Sequence, residues 1–379
     1  MTTDAGADLL SDHHPTLADT PLKKYFEAAV KFEASDLLLK GDLVPKLRLR
    51  GALKGLDTAA IPEEKFEQYI ADALSPQLAE RFAEHGSLDL GVDFVINGEE
   101  HRFRVNIFRT RGKAAVAARR VSNEILDFEQ LMLPESLREV SEKQQGLILL
   151  CGVTGSGKST TIASMLNHIN KQRACHILTI EDPIEYLFKD EKAILNQREV
   201  GIDVPDFPTA LRALVRENPD VVLIGEMRDK ETFEAALQAA ETGHLVFGTI
   251  HASSASQAFG RIYDLFPAEE RDAIRTLLAY QVQAIVYQKL LPTVKEEIQR
   301  VPAVEILLQS PPMRKYILEG REDELEEVIK GARQSGMQTF TDSLVELVNN
   351  NLVHPKVAQA ASNAPEEVKM RLRGIASGG

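Results

Sequence analysis

Leu147-Ile148-Leu149-Leu150-Cys151-Gly152-Val153-Thr154-Gly155-Ser156-Gly157-Lys158-Ser159 decides how the second half of this chain folds. Its opening apolar run has no polar alternation, which suits a strand buried on both faces of a parallel sheet. The rest satisfies G-x-x-x-x-G-K-[ST], and helical periodicity follows over residues 160–170. Strand, glycine-rich loop and helix in that order form the setting in which this pattern holds phosphate. Glycines let backbone N–H groups turn toward a β-phosphate, and the helix N-terminus adds partial positive charge. The expected ATP-binding residues are Thr154, Gly155, Ser156, Gly157, Lys158, Ser159 and Thr160. Lys158 would reach the β and γ oxygens and Ser159 would hold Mg²⁺.

Further apolar runs at residues 177–181, 221–224 and 245–250 alternate with helical segments, the pattern of a parallel sheet covered on both faces. Helical periodicity is expected over 268–290, then a short strand at 303–308 and helices through Val353. Ligands of open parallel sheets sit at the carboxyl ends of strands. Val221-Val222-Leu223-Ile224-Gly225-Glu226 places a carboxylate there, so Glu226 is the expected water- or Mg²⁺-ordering acid. The plainer alternative is a solvated acid paired with Arg228 or Lys230. Glu181-Asp182-Pro183-Ile184-Glu185 also follows a strand; Asp before Pro often builds only a turn, and Glu185 is the expected second acid. His244 and His251 bracket the 245–250 run and fall on opposite faces of a regular strand. The strand-end rule selects His251 as a γ-phosphate sensor, against a histidine that merely finishes a strand.

Toward the N-terminus, residues 1–19 lack periodicity and are expected to form a tail. Thr20 is expected to cap a helix from Pro21 that buries Leu22, Tyr25, Phe26, Ala29 and Val30. Alternating stretches follow at 36–40 and 46–50, then helical ones carrying Phe66, Ile70 and Leu74. Runs 87–96 and 99–109 flank Asn97-Gly98, a tight-hairpin pair, and a third strand spans about 114–121. Arginines crowd this hairpin; a solvated strand face is one reading, and reach to a phosphate across a domain or subunit boundary is the other. Arg104 and Arg119 are the expected trans-acting residues. A polar connection at 133–145 is the expected boundary between two domains.

Composition narrows the function. With 379 residues and 44% hydrophobic content the chain can bury two cores. A formal charge of −13 argues against a broad nucleic-acid-binding face. Cys151 and Cys175 alone build neither a disulfide framework nor a four-cysteine zinc site. No run approaches a membrane span, so no transmembrane segment is expected.

Together these motifs resemble the pilus-retraction ATPases, PilT and PilU, of the type II/IV secretion ATPase superfamily. Beside the phosphate loop, the resemblance rests on Ala34-Ser35-Asp36-Leu37 and Arg102-Phe103-Arg104-Val105-Asn106. It continues through Thr179-Ile180-Glu181-Asp182-Pro183-Ile184-Glu185-Tyr186, similar to the family's Asp box, and Gly225-Glu226-Met227-Arg228-Asp229, similar to its atypical Walker B motif. Residues 242–251 look like its His box, and Gly336-Met337-Gln338-Thr339-Phe340 fits its C-terminal region. Three features depart: Leu38 stands for a histidine, the 108–112 loop is one residue short, and Pro312-Met313-Arg314 replaces Ala-Ile-Arg.

The resemblance implies an α/β fold, with a RecA-like P-loop motor domain at 146–358 and a smaller PAS-like α+β domain at 20–135. Residues 359–379 would form a weakly ordered tail. It further implies a homohexamer with ATP between subunits, cytoplasmic and peripheral at the inner membrane. That motor would act through the inner-membrane platform protein to retract a type IV pilus in twitching motility, beside a paralogous retraction ATPase. The alternatives are a pilus assembly or secretion ATPase, whose zinc insertion two cysteines cannot supply, and an ATP-binding adaptor of another motor. A helicase would need a basic channel that this acidic chain does not suggest.

Overall fold

Asn97 and Gly98 both take positive φ, 55° and 83°, and reverse the chain between two long strands. The structure, a computed structural model, describes residues 16–49, 51–122 and 124–374. They belong to two units that divide after residue 123.

The first unit runs α1 (Lys23–Lys31), β1 (Asp36–Lys40), β2 (Lys46–Leu49), β3 (Ala52–Gly55), α2 (Glu63–Ala73), α3 (Pro76–His85), β4 (Ser87–Ile96), β5 (Glu99–Thr110) and β6 (Lys113–Arg120). Its strands form one antiparallel sheet in the order β3-β2-β1-β6-β5-β4. Burial alternates along β5, as period-two patterning requires. Phe103 and Phe94 meet Phe26 of α1 in the core, with ring centroids 5.0 Å and 4.2 Å away. The expected strands and hairpin are present. Thr20, however, accepts from the Leu22 N–H within a preceding turn, and α1 starts at Lys23 without a side-chain cap.

The second unit runs α4 (Glu135–Ser141), β7 (Gly146–Cys151), α5 (Lys158–Gln172), β8 (His176–Glu181), β9 (Ile194–Glu199), α6 (Phe207–Glu217), β10 (Val221–Ile224), α7 (Lys230–Glu241), β11 (Leu245–Ile250), α8 (Ala255–Tyr263), α9 (Arg271–Gln281), β12 (Val282–Pro292) and β13 (Arg300–Leu308). It ends in α10 (Pro311–Leu318), α11 (Leu325–Gly331), α12 (Phe340–Asn349), α13 (Pro355–Ala361) and α14 (Pro365–Leu372). The sheet order is β13-β12-β7-β11-β10-β8-β9, parallel except for β13. β7 and β10 are fully buried, and separate apolar clusters cover the two faces of the sheet. This is the expected RecA-like arrangement, with β11 between the loop-bearing strand and the strand that leads to Glu226.

Several boundaries differ from expectation. Phe128, Leu133 and Leu137 pack with Ile148 and Leu150, which draws the 124–145 connection into the second unit. Residues 282–290, expected as helix, form most of β12, where Val282, Ala284, Ile285 and Val286 are buried between β7 and β13. Their near-continuous apolar run fits either element, and sheet pairing decides it. The expected tail at 359–379 holds the end of α13 and all of α14, anchored by the buried Val368. At the other end residues 17–19 of the expected 1–19 tail form a 3-10 turn capped by Thr16, with Leu17 buried against the first core, while residues 1–15 lie outside the described residues. Among the described residues no helix is long and apolar enough to cross a membrane.

Candidate active site

The carboxyl ends of β7, β8, β10 and β11 face one cavity of about 300 Å³ in the second unit. Thr154, Gly155, Lys158 and Ser159 line it from the loop and first turn of α5. Glu185, Glu226 and His251 line it from the other strand ends. Residues from four separate places in the sequence, Lys158 with Ser159, Glu185, Glu226 and His251, thus share one site, as the strand-end rule leads one to expect.

Gly155 and Gly157 hold φ of 77° and 90°, values that L side chains rarely adopt, so glycine is needed where the loop turns into α5. Lys158 Nζ folds back onto the carbonyls of Gly152 and Val153, at 2.9 and 3.1 Å. Burial holds its ammonium below the usual lysine range, opposed by the charges of Glu226 and Glu185. An incoming phosphate would supply the counter-charge this lysine lacks. Ser156 and Gly157 stand in the loop without lining the cavity; Ser156 is buried. Thr160 joins its hydroxyl to that of Tyr186, 2.7 Å away, and so fixes the aromatic ring at the cavity wall.

Parallel pairing of Ile224 with Gly248 sets the Glu226 and His251 loops side by side, joined by the bond from Thr249 Oγ1 to the Gly225 carbonyl at 2.6 Å. Glu226 is held by Arg228, with Nε to Oε1 at 2.5 Å and Nη2 to Oε2 at 2.6 Å. His251 Nε2 lies 3.1 Å from the same Oε1. The Arg228 hydrogen bond holds the Glu226 carboxyl below its usual range despite partial burial, and the charges of Arg228 and His251 add to it. Glu226 does pair with Arg228, and it does so inside the cavity; Lys230 turns instead to Glu270, at 2.6 Å. His244 bonds locally, its Nδ1 2.9 Å from the Ala239 carbonyl.

Three acids that line the cavity, Glu181, Asp182 and Asp229, were not among the acids expected from sequence, and Glu181 is the buried one. Glu181 ends β8 nine-tenths buried in the wall of the same cavity. It accepts from Thr179 Oγ1 at 2.7 Å and Gln197 Nε2 at 3.3 Å. Burial pushes its carboxyl up to about 7 against those bonds. In sequence it stands at the end of the 177–181 run, directly before Asp182-Pro183, and nothing local sets it apart as a site acid.

The donors facing the cavity beside the loop are hydroxyl and carboxylate oxygens, which fit a hard ion such as Mg²⁺. No group of three or more His, Cys, Asp or Glu among the described residues forms a protein-only metal cage. Mg²⁺ commonly completes its shell with water and nucleotide phosphate, so Ser159 with an acid suffices on the protein side.

Arg104 and Arg119 belong to the first unit. They are cross-strand partners on β5 and β6, and Asp36 pairs with Arg119 from β1 and with Arg48 from β2. Arg119 Nε donates to Asp36 Oδ1 at 3.0 Å and Arg48 Nε lies 3.2 Å from Oδ2. The row holds three arginines and one aspartate.

Residues 44–370 match the family described as Type II/IV secretion system protein. The Type IV pilus retractation ATPase PilT of Pseudomonas aeruginosa is 38% identical over 338 residues, covering 89% of this chain and 97% of that protein. The Type IV pilus ATPase PilU of the same organism is 33% identical over 351 residues, 93% of this chain and 91% of that one. A crystal structure of the pilus retraction motor PilT with bound ADP superposes with a TM-score of 0.83 at 40% identity, covering 91% of this chain and 97% of its own. With its phosphate loop and strand-end acids gathered at one cavity, the chain belongs to the Type II/IV secretion system protein family and is an ATPase.

Proposed function

We propose that this chain is a Mg²⁺-dependent, hexameric motor that retracts a type IV pilus. Near-complete coverage of PilT and PilU relatives supports the pilus assignment, and identity is higher to PilT than to PilU. Lys158 would grip the β and γ phosphates from the loop, and Ser159 with the nearby carboxylates would hold the metal ion. Mg²⁺ supplies charge neutralisation on the transferred phosphoryl group. Glu226 orients the attacking water: Arg228 keeps it anionic, and an anionic carboxylate accepts a water proton as a hydrogen-bond partner. Glu185 assists the metal, His251 reports the γ-phosphate, and Arg104 and Arg119 act on a neighbouring subunit's nucleotide. The motor works in the cytoplasm at the inner membrane, on the platform protein, beside a paralogous retraction ATPase.

The observation that carries the chemistry is Glu226, fixed by Arg228 and His251 in the same cavity as Lys158. Phosphate release by Glu226→Gln is expected to fall about 100-fold or more, with binding of a fluorescent ATP analogue within about threefold of the parent. Equal turnover by variant and parent would remove Glu226 from the mechanism. The pilus assignment is tested by deleting the gene and measuring twitching and the retraction of labelled pili. Unchanged retraction in a strain without paralogous motors would overturn it.

A further inference from the structure

Gln288 lies on β12, only 1% exposed, and both ends of its amide are turned to the phosphate loop and the helix behind it. Nε2 donates to the Ser156 carbonyl at 2.9 Å and Oε1 accepts from Thr161 Oγ1 at 2.8 Å. The fit between strand and loop is close on both flanks. A Cβ on Gly152 would come within 2.5 Å of the Gln288 carbonyl oxygen, and one on Gly157 within 2.6 Å of its Nε2. β12 therefore packs directly against the glycines that open and close the loop's turn.

This contact has a directional consequence. A trans peptide points its C=O and N–H in opposite directions. With the Ser156 carbonyl held toward β12, the Gly157 N–H of the same peptide points away from β12. A phosphate-binding loop depends on backbone N–H groups held in a fixed array. The loop also has a competing set of internal bonds, since Lys158 can satisfy itself on the Gly152 and Val153 carbonyls. Something must keep the peptide plane oriented while that lysine exchanges partners.

We propose that Gln288 is a positioning residue for nucleotide binding: through Ser156 it fixes the 156–157 peptide, and through Thr161 it ties that peptide to the first turns of α5. This rests on the reading that the 152–159 loop holds the nucleotide.

The test is the dissociation constant of a fluorescent ADP analogue with Mg²⁺, measured on the full-length protein with a melting curve for each variant. Gln288→Met keeps the volume and loses both hydrogen bonds; its affinity is expected to fall about tenfold. Thr161→Val is expected to fall about threefold, and Thr161→Ser, which keeps the hydroxyl, to stay within about twofold of the parent. The Gln288→Met/Thr161→Val double variant should bind no more weakly than Gln288→Met alone, because both changes break one clamp. Unchanged affinity in both single variants overturns the proposal, even with a lowered melting point, as do losses that multiply in the double variant. If Gln288→Met does not fold, the Thr161 pair decides: weakening by Val with rescue by Ser supports the clamp, and equal affinities overturn it. Absence of binding by the parent, or parent-like binding by Lys158→Ala, would refute the loop reading instead.

Discussion

A carboxyl group removed from water keeps its proton to higher pH, and Glu181 shows this at the wall of the cavity. In the unfolded chain it titrates near 4.5, and in the folded protein near 7. Between those values the native state binds more protons than the unfolded state, so stability declines as pH rises through the window. The contribution is fully present below about 4.5 and lost above about 7, a span on the order of 3 kcal/mol. Glu181→Gln removes the titration and keeps an oxygen acceptor for the Thr179 hydroxyl. The melting temperature of the variant, relative to the parent, is expected to be several degrees more favourable at pH 8 than at pH 5. A difference that stays constant from pH 5 to pH 8 would show that Glu181 is already ionised in the native protein. Glu226 in the same cavity is shifted the opposite way, because the Arg228 hydrogen bond outweighs its partial burial, whereas at Glu181 burial outweighs the bonds from neutral donors. One site thereby holds a poised proton and a fixed negative charge together.

At the scale of elements, β13 anchors two helices with one side chain. Glu305 is buried, and its Oε1 accepts from the Ala255 N–H at the start of α8 at 2.6 Å. A backbone hydrogen bond from Phe340, at the start of α12, reaches the same carboxyl. Both helices open with N–H groups that have no partner within the helix, and the carboxylate satisfies one from each. Glu305→Ala would leave buried donors unmatched and is expected to lower unfolding free energy by about 2 kcal/mol in urea titration. A loss below about 0.5 kcal/mol would mean that water takes over the role. Pairings of this kind are what the sequence leaves hidden. The phosphate loop, Glu226 and His251 were legible because each sits within a few residues of an apolar strand whose end locates it. Gln288 lies 132 residues from Ser156, and nothing local distinguishes it from any other polar residue in a strand. β12 itself was obscured because an apolar run between two strands satisfies helical and extended periodicity alike, and only the neighbours β7 and β13 choose. β9 was missed for the opposite reason: as an edge strand it buries only Glu199 fully, and after Ile194-Leu195 it reads Asn196-Gln197-Arg198-Glu199, so it carries little apolar signal.

For the whole molecule, the decisive question is whether one chain completes its own site. In the first unit Asp36 is shared between Arg48 and Arg119. Burial would raise its carboxyl, but hydrogen bonds from Ser35 and Arg119 and the charges of both arginines hold it below its usual range. One carboxylate cannot neutralise three guanidinium groups, so the Arg48–Asp36–Arg119–Arg104 row keeps net positive charge on its sheet face. Such a row suits a phosphate supplied by another chain. Lys158→Ala lacks the loop's cation and Arg104→Ala lacks the one arginine of the row that is not bound to Asp36, so each protein alone is expected to be nearly inactive in phosphate release. If both groups serve the same subunit's nucleotide, no mixture contains an intact site and activity stays at the sum of the two. If the arginine serves a neighbour, an equal mixture that assembles at random has an intact loop beside an intact arginine in about a quarter of its sites, since each half is present with even odds. Recovery toward about a quarter of parental turnover per site is therefore expected. It should peak near equal proportions and vanish when either protein is in large excess. Subunit exchange is verified in parallel by fluorescence transfer between labelled copies. Exchange without recovery would place the arginine outside the neighbour's chemistry, and the row would then be read as a solvated strand face.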